Sequence, residues 1–216
     1  MRQSYFILIC GIVVLALLST SCSKDRPKYA ELFAQVEEHR AVFMQPREEG
    51  LAALGIADAV GEYDTTLGKM MQDDILTVNQ MEFKQQIVVD VATNKIIGYR
   101  IGTVFPRSES GYQNARELVR AFLEHYKPVE DEEAEKVEKS VQTIDRMALP
   151  LKPLTGSIEE SWSYGKGEDK LYITYRMSNS FQSDDELPLN FYFSYEGKYD
   201  ISIRINPLLY TIVRTK

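Results

Sequence analysis

The sequence predicts an α+β fold in which an antiparallel sheet of about five to seven strands packs one face against three amphipathic helices. Three observations carry this reading. Apolar and polar residues alternate over 83–105 and again over 171–205, the period of strands with one wet face. Over 28–44, 112–126 and 129–147 the apolar residues instead recur at three- and four-residue steps, the period of helices with one buried stripe. The chain of 216 residues is 44% hydrophobic and 11% aromatic, with 13 Tyr, which is ample material for one core.

The chain begins Met1-Arg2-Gln3-Ser4, continues as an apolar run of 14 residues from Tyr5 to Leu18, and then reads Ser19-Thr20-Ser21-Cys22. A positive start, a short apolar run and small residues before a cut site are the parts of a secretory signal peptide, and the run is too short to span a bilayer comfortably. The cysteine directly after the small residues makes this stretch resemble a bacterial lipoprotein signal. It departs from the commonest pattern in having Ser19 where Leu is usual, with Leu18 one place earlier. The resemblance covers residues 1–22 and implies that Cys22 is acylated and becomes the first residue of the mature protein. Ser23-Lys24-Asp25 resembles the charged tether of Bacteroidota lipoproteins. The organisation implied is a signal peptide over 1–21, a lipid-anchored tether over 22–27 and a single α+β domain over 28–216, held in the cell envelope at the outer membrane.

Removal of 21 residues from 216 leaves 195, and Arg2 is the only charge removed, so the formal net charge moves from −7 to −8. An acidic chain with scattered bases is repelled by phosphate backbones and anionic headgroups, so nucleic acid is not an expected partner. The membrane must then be held through the lipid on Cys22. Cys10 leaves with the signal peptide and Cys22 carries lipid through its sulfur. The mature domain therefore has neither thiol nor disulfide, and its stability must come from burial.

Taken in order, Tyr29, Leu32, Phe33, Val36 and Phe43 predict a helix over 28–44, with Pro27 at its first turn and Pro46 closing it. His39 lies at the edge of that stripe as a packing residue. Gly50, Gly55, Gly61 and Gly68 interrupt residues 47–80, which read as short helices joined by glycine turns, with Asp73-Asp74 in a solvated loop. Ile87 to Val91 and Ile96 to Val104 predict two strands around Ala92-Thr93-Asn94-Lys95, where Asn94 can take the left-handed conformation and Asp90 can accept a hydrogen bond. The stretch from Val89 to Ile97 resembles the hairpin of PepSY-type secreted modules. Ser110 and Gln113 suggest a capping box for the helix that carries Tyr112, Ala115, Leu118, Val119, Phe122 and Tyr126. His125, near its C-terminus, suits the helix dipole when protonated.

Glu130-Asp131-Glu132-Glu133 falls in the first turn of the next helix, where acids are favoured, and Glu132/Lys136 and Glu135/Lys139 form i,i+4 pairs. From Ile158 the chain is β-rich. Trp162 and Tyr164 lead to the turn Gly165-Lys166-Gly167, residues 171–177 and 189–195 alternate, and Ile201, Ile203 and Ile205 return, with a last strand suggested at 210–213.

No catalytic constellation emerges. Without a mature cysteine, thiol catalysis is excluded, and the two histidines lie on helices with nothing to support a Ser-His-Asp site or a zinc site. Gly165-Lys166-Gly167 sits in a hairpin and not between strand and helix, so it is not a phosphate loop. No metal or cofactor is expected. What stands out is tyrosine in the last sheet. Tyr172 and Tyr192 fall out of phase with the apolar set and point to the outer face, with Tyr164 and Tyr199 near the turns, and exposed tyrosine suits recognition of a protein or a sugar. The expected function is a lipid-anchored, non-catalytic interaction or accessory protein of the envelope, whose partner is an envelope protein or a glycan. The alternative is a carbohydrate-binding or carbohydrate-cleaving lipoprotein.

Overall fold

A computed structural model describes residues 28–56, 62–64, 69–90, 93–148, 154, 156–167, 170–180 and 183–195, with the side chains of 62–64 and 69–74 excepted. The signal peptide, Cys22, the tether and the strands expected after Tyr195 lie outside these residues. Contacts divide the chain into Met1–Ala30 and Glu31–Lys216, and the architecture below is that of the second unit.

Four helices and seven strands are described: α1 (Ala30–Arg40), α2 (Arg47–Ala53), β1 (Glu62–Asp64), β2 (Lys69–Val78), β3 (Met81–Asp90), β4 (Lys95–Pro106), α3 (Glu109–His125), α4 (Asp131–Ala148), β5 (Ser157–Tyr164), β6 (Leu171–Ser178) and β7 (Glu186–Tyr195). The strands form one sheet of order β1-β2-β3-β4-β7-β6-β5, antiparallel throughout. This is the α+β architecture the periodicities predict. The crossover from β4 to β5 runs through α3 and α4, and β7 returns to the middle of the sheet beside β4.

Three sequence expectations change. The helix expected over 28–44 ends at Arg40, because Met44 enters the left-handed region with φ of 68° and turns the chain. Residues 44–47 then run beside the start of β4, with Met44 N–H donating to the Ile96 carbonyl at 2.7 Å and Ile96 N–H to the Gln45 carbonyl at 3.0 Å. Residues 69–78 are a strand, not helical turns with a loop at Asp73-Asp74. That strand is fixed by a two-residue turn at Asn79-Gln80, whose φ values of 50° and 67° are both positive, as a primed hairpin turn requires. Glutamine is an unusual occupant of such a turn, so its chemistry does not announce the hairpin. The helix cap also differs. Ser108, not Ser110, caps α3 by accepting from Gly111 N–H at 3.1 Å, while Gln113 donates to Glu109. Gly111 is required here, since a Cβ would stand 1.8 Å from the Pro106 carbonyl oxygen where the helix leaves β4.

Other expectations hold. Asn94 has φ of 52°, and Asp90 accepts from Thr93 Oγ1 at 2.9 Å in the β3–β4 turn. Glu132–Lys136 and Glu135–Lys139 pair at 2.8 and 2.7 Å along α4.

The core lies between the helices and one sheet face. Cross-strand register places Tyr99, Phe193, Ile173 and Trp162 in one row and Ile101, Phe191 and Tyr175 in the next, all fully buried. Phe122 of α3 lies on Phe191 with ring centroids 3.9 Å apart, and Phe33 of α1 meets it edge-on at 5.2 Å. Trp162 donates its indole N–H to the Tyr126 carbonyl at 2.6 Å, so β5 satisfies an orphan carbonyl at the end of α3.

Candidate functional site

The face of the sheet away from the helices is the candidate site. Alternation turns Gln86 of β3, Arg100 of β4, Tyr192 of β7 and Thr174 of β6 onto it as one cross-strand row. The adjacent row carries Val88, Gly98, Ser194, Tyr172 and Ser163. Tyr172 and Tyr192 are therefore diagonal neighbours on adjacent strands, within reach of one ligand.

Arg100 lies along the sheet, and not out from it. Its Nε and Nη2 donate to Asn190 Oδ1 at 3.2 and 2.8 Å, and its Nη1 donates to Gln86 Oε1. The Tyr192 ring sits over the guanidinium, 5.7 Å from centroid to Cζ, a cation–π arrangement. Gly102, two residues along, is what admits Asn190: a Cβ there would meet Asn190 Oδ1 at 2.1 Å. The sequence signal for this network is the alternation Gly98-x-Arg100-x-Gly102, a charged residue bracketed on its own face by residues without side chains. That signal was legible but is not one of the patterns by which binding sites are ordinarily sought.

The two tyrosines are not the open rings that alternation suggests. Both are half-buried, and Tyr192 packs against the buried pair Val88 and Ile97. Ile97 reaches this face because the β3–β4 register shifts between Val88 and Val89, adding one residue to β4. Gln86, Arg100, Thr174, Asn190 and Ser194 are each less than a tenth exposed. The centre of this face is thus a packed polar layer, flanked by the part-exposed rims of the Tyr172 and Tyr192 rings and, farther along β4, by the more exposed Val104.

Tyr164 belongs elsewhere. It lies on the helix face in register with Leu171, meets Tyr126 edge-on at 5.2 Å and receives the Arg40 guanidinium at 5.9 Å, so it closes the core and does not share a face with Tyr172. Tyr199 lies outside the described residues. Both histidines stack on aromatic rings, His39 in the core and His125 at an exposed position. His39 is buried, stacks on Tyr99 at 4.0 Å and has Nδ1 2.8 Å from the Gln35 carbonyl. His125 stacks flat on Phe33 at 4.0 Å, and desolvation holds its pKa below the ordinary histidine value against the opposing field of Glu37. A histidine so placed is less readily protonated than the helix-dipole argument suggests. Next to His125, the Tyr126 hydroxyl has its pKa pushed up by burial and then by the Glu37 carboxylate.

The acidic run also has a structural task. Glu133, in the first turn of α4, accepts from the Ser163 backbone N–H at 3.0 Å and from Ser163 Oγ at 3.1 Å, while Val129 N–H donates to the Ser163 carbonyl at 3.0 Å. Among the described residues no three His, Cys, Asp or Glu side chains gather as a metal site, and no helix is long and apolar enough to cross a membrane. Comparison with protein-family models, curated proteins and solved structures gave no match.

Proposed function

We propose that the protein is a lipid-anchored accessory protein of the cell envelope that binds a partner and carries out no chemistry of its own. The observation that carries this reading is the run Tyr5–Leu18 followed by Ser19-Thr20-Ser21-Cys22, which supplies both the export signal and the acylated residue. The domain's own chemistry supports the second half. His39 is buried against Tyr99 and His125 stacks on Phe33 at an exposed position, while Glu132, Glu135 and Glu133 of α4 engage Lys136, Lys139 and the edge of β5. The rims of Tyr172 and Tyr192 supply aromatic contact area held rigid by the layer beneath, which costs little side-chain entropy on binding.

A glycan is the second class of ligand, favoured by the part-exposed Tyr192 ring next to a guanidinium held by two amides. The anchor is common to both readings. Mass spectrometry of the mature N-terminal peptide tests it. The reading predicts a peptide beginning at Cys22 and heavier by its acyl chains; an unmodified peptide beginning elsewhere would remove its basis.

A further inference from the structure

Edge strands present unpaired backbone groups, and natural sheets cover or disrupt them. In β5 the register with β6 runs without a shift from Ser157↔Ser178 to Tyr164↔Leu171, so the strand is regular over eight residues and contains no proline. Among the described residues its outer edge is covered at one end only. Both backbone groups of Ser163 point away from β6, since they are taken by Val129 N–H and the Glu133 carboxylate. In an antiparallel ladder the groups facing a given side belong to alternate residues, so those of Ser161, Glu159 and Ser157 point the same way. Among the described residues nothing bonds to them there.

We propose that the edge of β5 from Ser157 to Ser161 is a strand-addition site for a basic, extended peptide segment of a partner protein. It deepens the reading of the protein as a non-catalytic binder and rests on it, while standing independently of the lipid anchor. The charge of the strand selects the partner. The sequence from Ser157 to Tyr164 holds two acids, Glu159 and Glu160, and no base. Alternation sends Glu159 to the outer face, where Arg176 reaches it at 3.5 Å, and Glu160 to the helix face, near the core tyrosine Tyr175 and within the field of Lys136 of α4. A peptide added here places successive side chains on the two faces in turn, so lysine or arginine meets a carboxylate on either one. The same charges disfavour a second copy of this chain, because pairing β5 with itself would bring two Glu159-Glu160 pairs together. The Glu133 cap fixes where the added strand must stop, next to Ser163.

The full-length protein in detergent is titrated with a labelled peptide of about ten alternating lysine and threonine residues, and amide hydrogen exchange is followed through the same titration. Binding should slow exchange at Glu159 and Ser161 at least tenfold, weaken with added salt, and be absent for the peptide with glutamate in place of lysine. Glu159→Pro removes an edge-facing N–H that β6 does not use, so it should keep the melting temperature and abolish binding. Should that variant unfold, Glu159→Gln/Glu160→Gln keeps the backbone edge and should weaken the lysine peptide at least fivefold. Absence of amide protection with the lysine peptide, equal binding of the glutamate peptide, or undiminished binding by folded Glu159→Pro would each overturn the proposal. None of these outcomes depends on whether Cys22 is acylated, so failure here and failure of the anchor are separately visible.

Discussion

Phe122 joins the layers at a single residue. Its ring is wholly buried against Phe191 and Phe33, so Phe122→Ala removes contacts to sheet and helix at once and leaves a cavity neither can close alone. The expected loss is about 3–5 kcal/mol, read from urea unfolding of the variant and the parent. A loss under about 1 kcal/mol would mean that the site collapses around the deletion. His125 offers a pH-dependent counterpart. Its folded pKa lies below its unfolded value of about 6.5, so the unfolded chain takes up the proton first as pH falls. Stability contributed by neutral His125 is complete above that value and is lost below it. His125→Phe keeps the stack on Phe33 without the proton, so its stability relative to the parent should rise between about pH 7.5 and about pH 5.5 in thermal melts. Parallel curves would contradict the assignment.

At the scale of the element, what could be read in the chain depended on how local the determinant was. The 109–125 and 131–148 helices were legible because their stripes, from Tyr112 to Phe122 and from Val137 to Ala148, repeat over several turns. β6 and β7 were legible from alternation alone. β2 was not, since Asp73-Asp74 and Met70-Met71 break alternation and the strand is held by pairing to β3 through an Asn-Gln turn. The candidate face was legible in part. Alternation put Tyr172 and Tyr192 on one side, but the register shift that brings Ile97 under Tyr192, and the reach of Asn190 across Gly102, exist only once β4 lies beside β3 and β7. Tyr164 went to the other face because a strand-end residue is assigned by its partner, here Leu171. The cap of α3 allows a direct test. Ser108→Ala should cost about 1 kcal/mol, since it strands Gly111 N–H, whereas Ser110→Ala should change stability by under about 0.5 kcal/mol. Equal losses would show that the two hydroxyls, 3.0 Å apart, share the task.

For the whole molecule, the formal charge of −7 over 216 residues opposes association with anionic surfaces, and among the described residues the β5 edge of the sheet is covered at Ser163 by Glu133 and Val129. The absence of cysteine after residue 22 leaves the core from Phe33 to Phe193 to supply stability by burial. The reading places such a domain in the envelope through one residue, and that residue carries the central claim. Cys22→Ala, followed by membrane fractionation and the size of the product, tests it most directly. The account predicts that the parent protein is processed and sediments with membranes, while the variant remains an unprocessed precursor. A Cys22→Ala protein that is cleaved and still membrane-bound would contradict it.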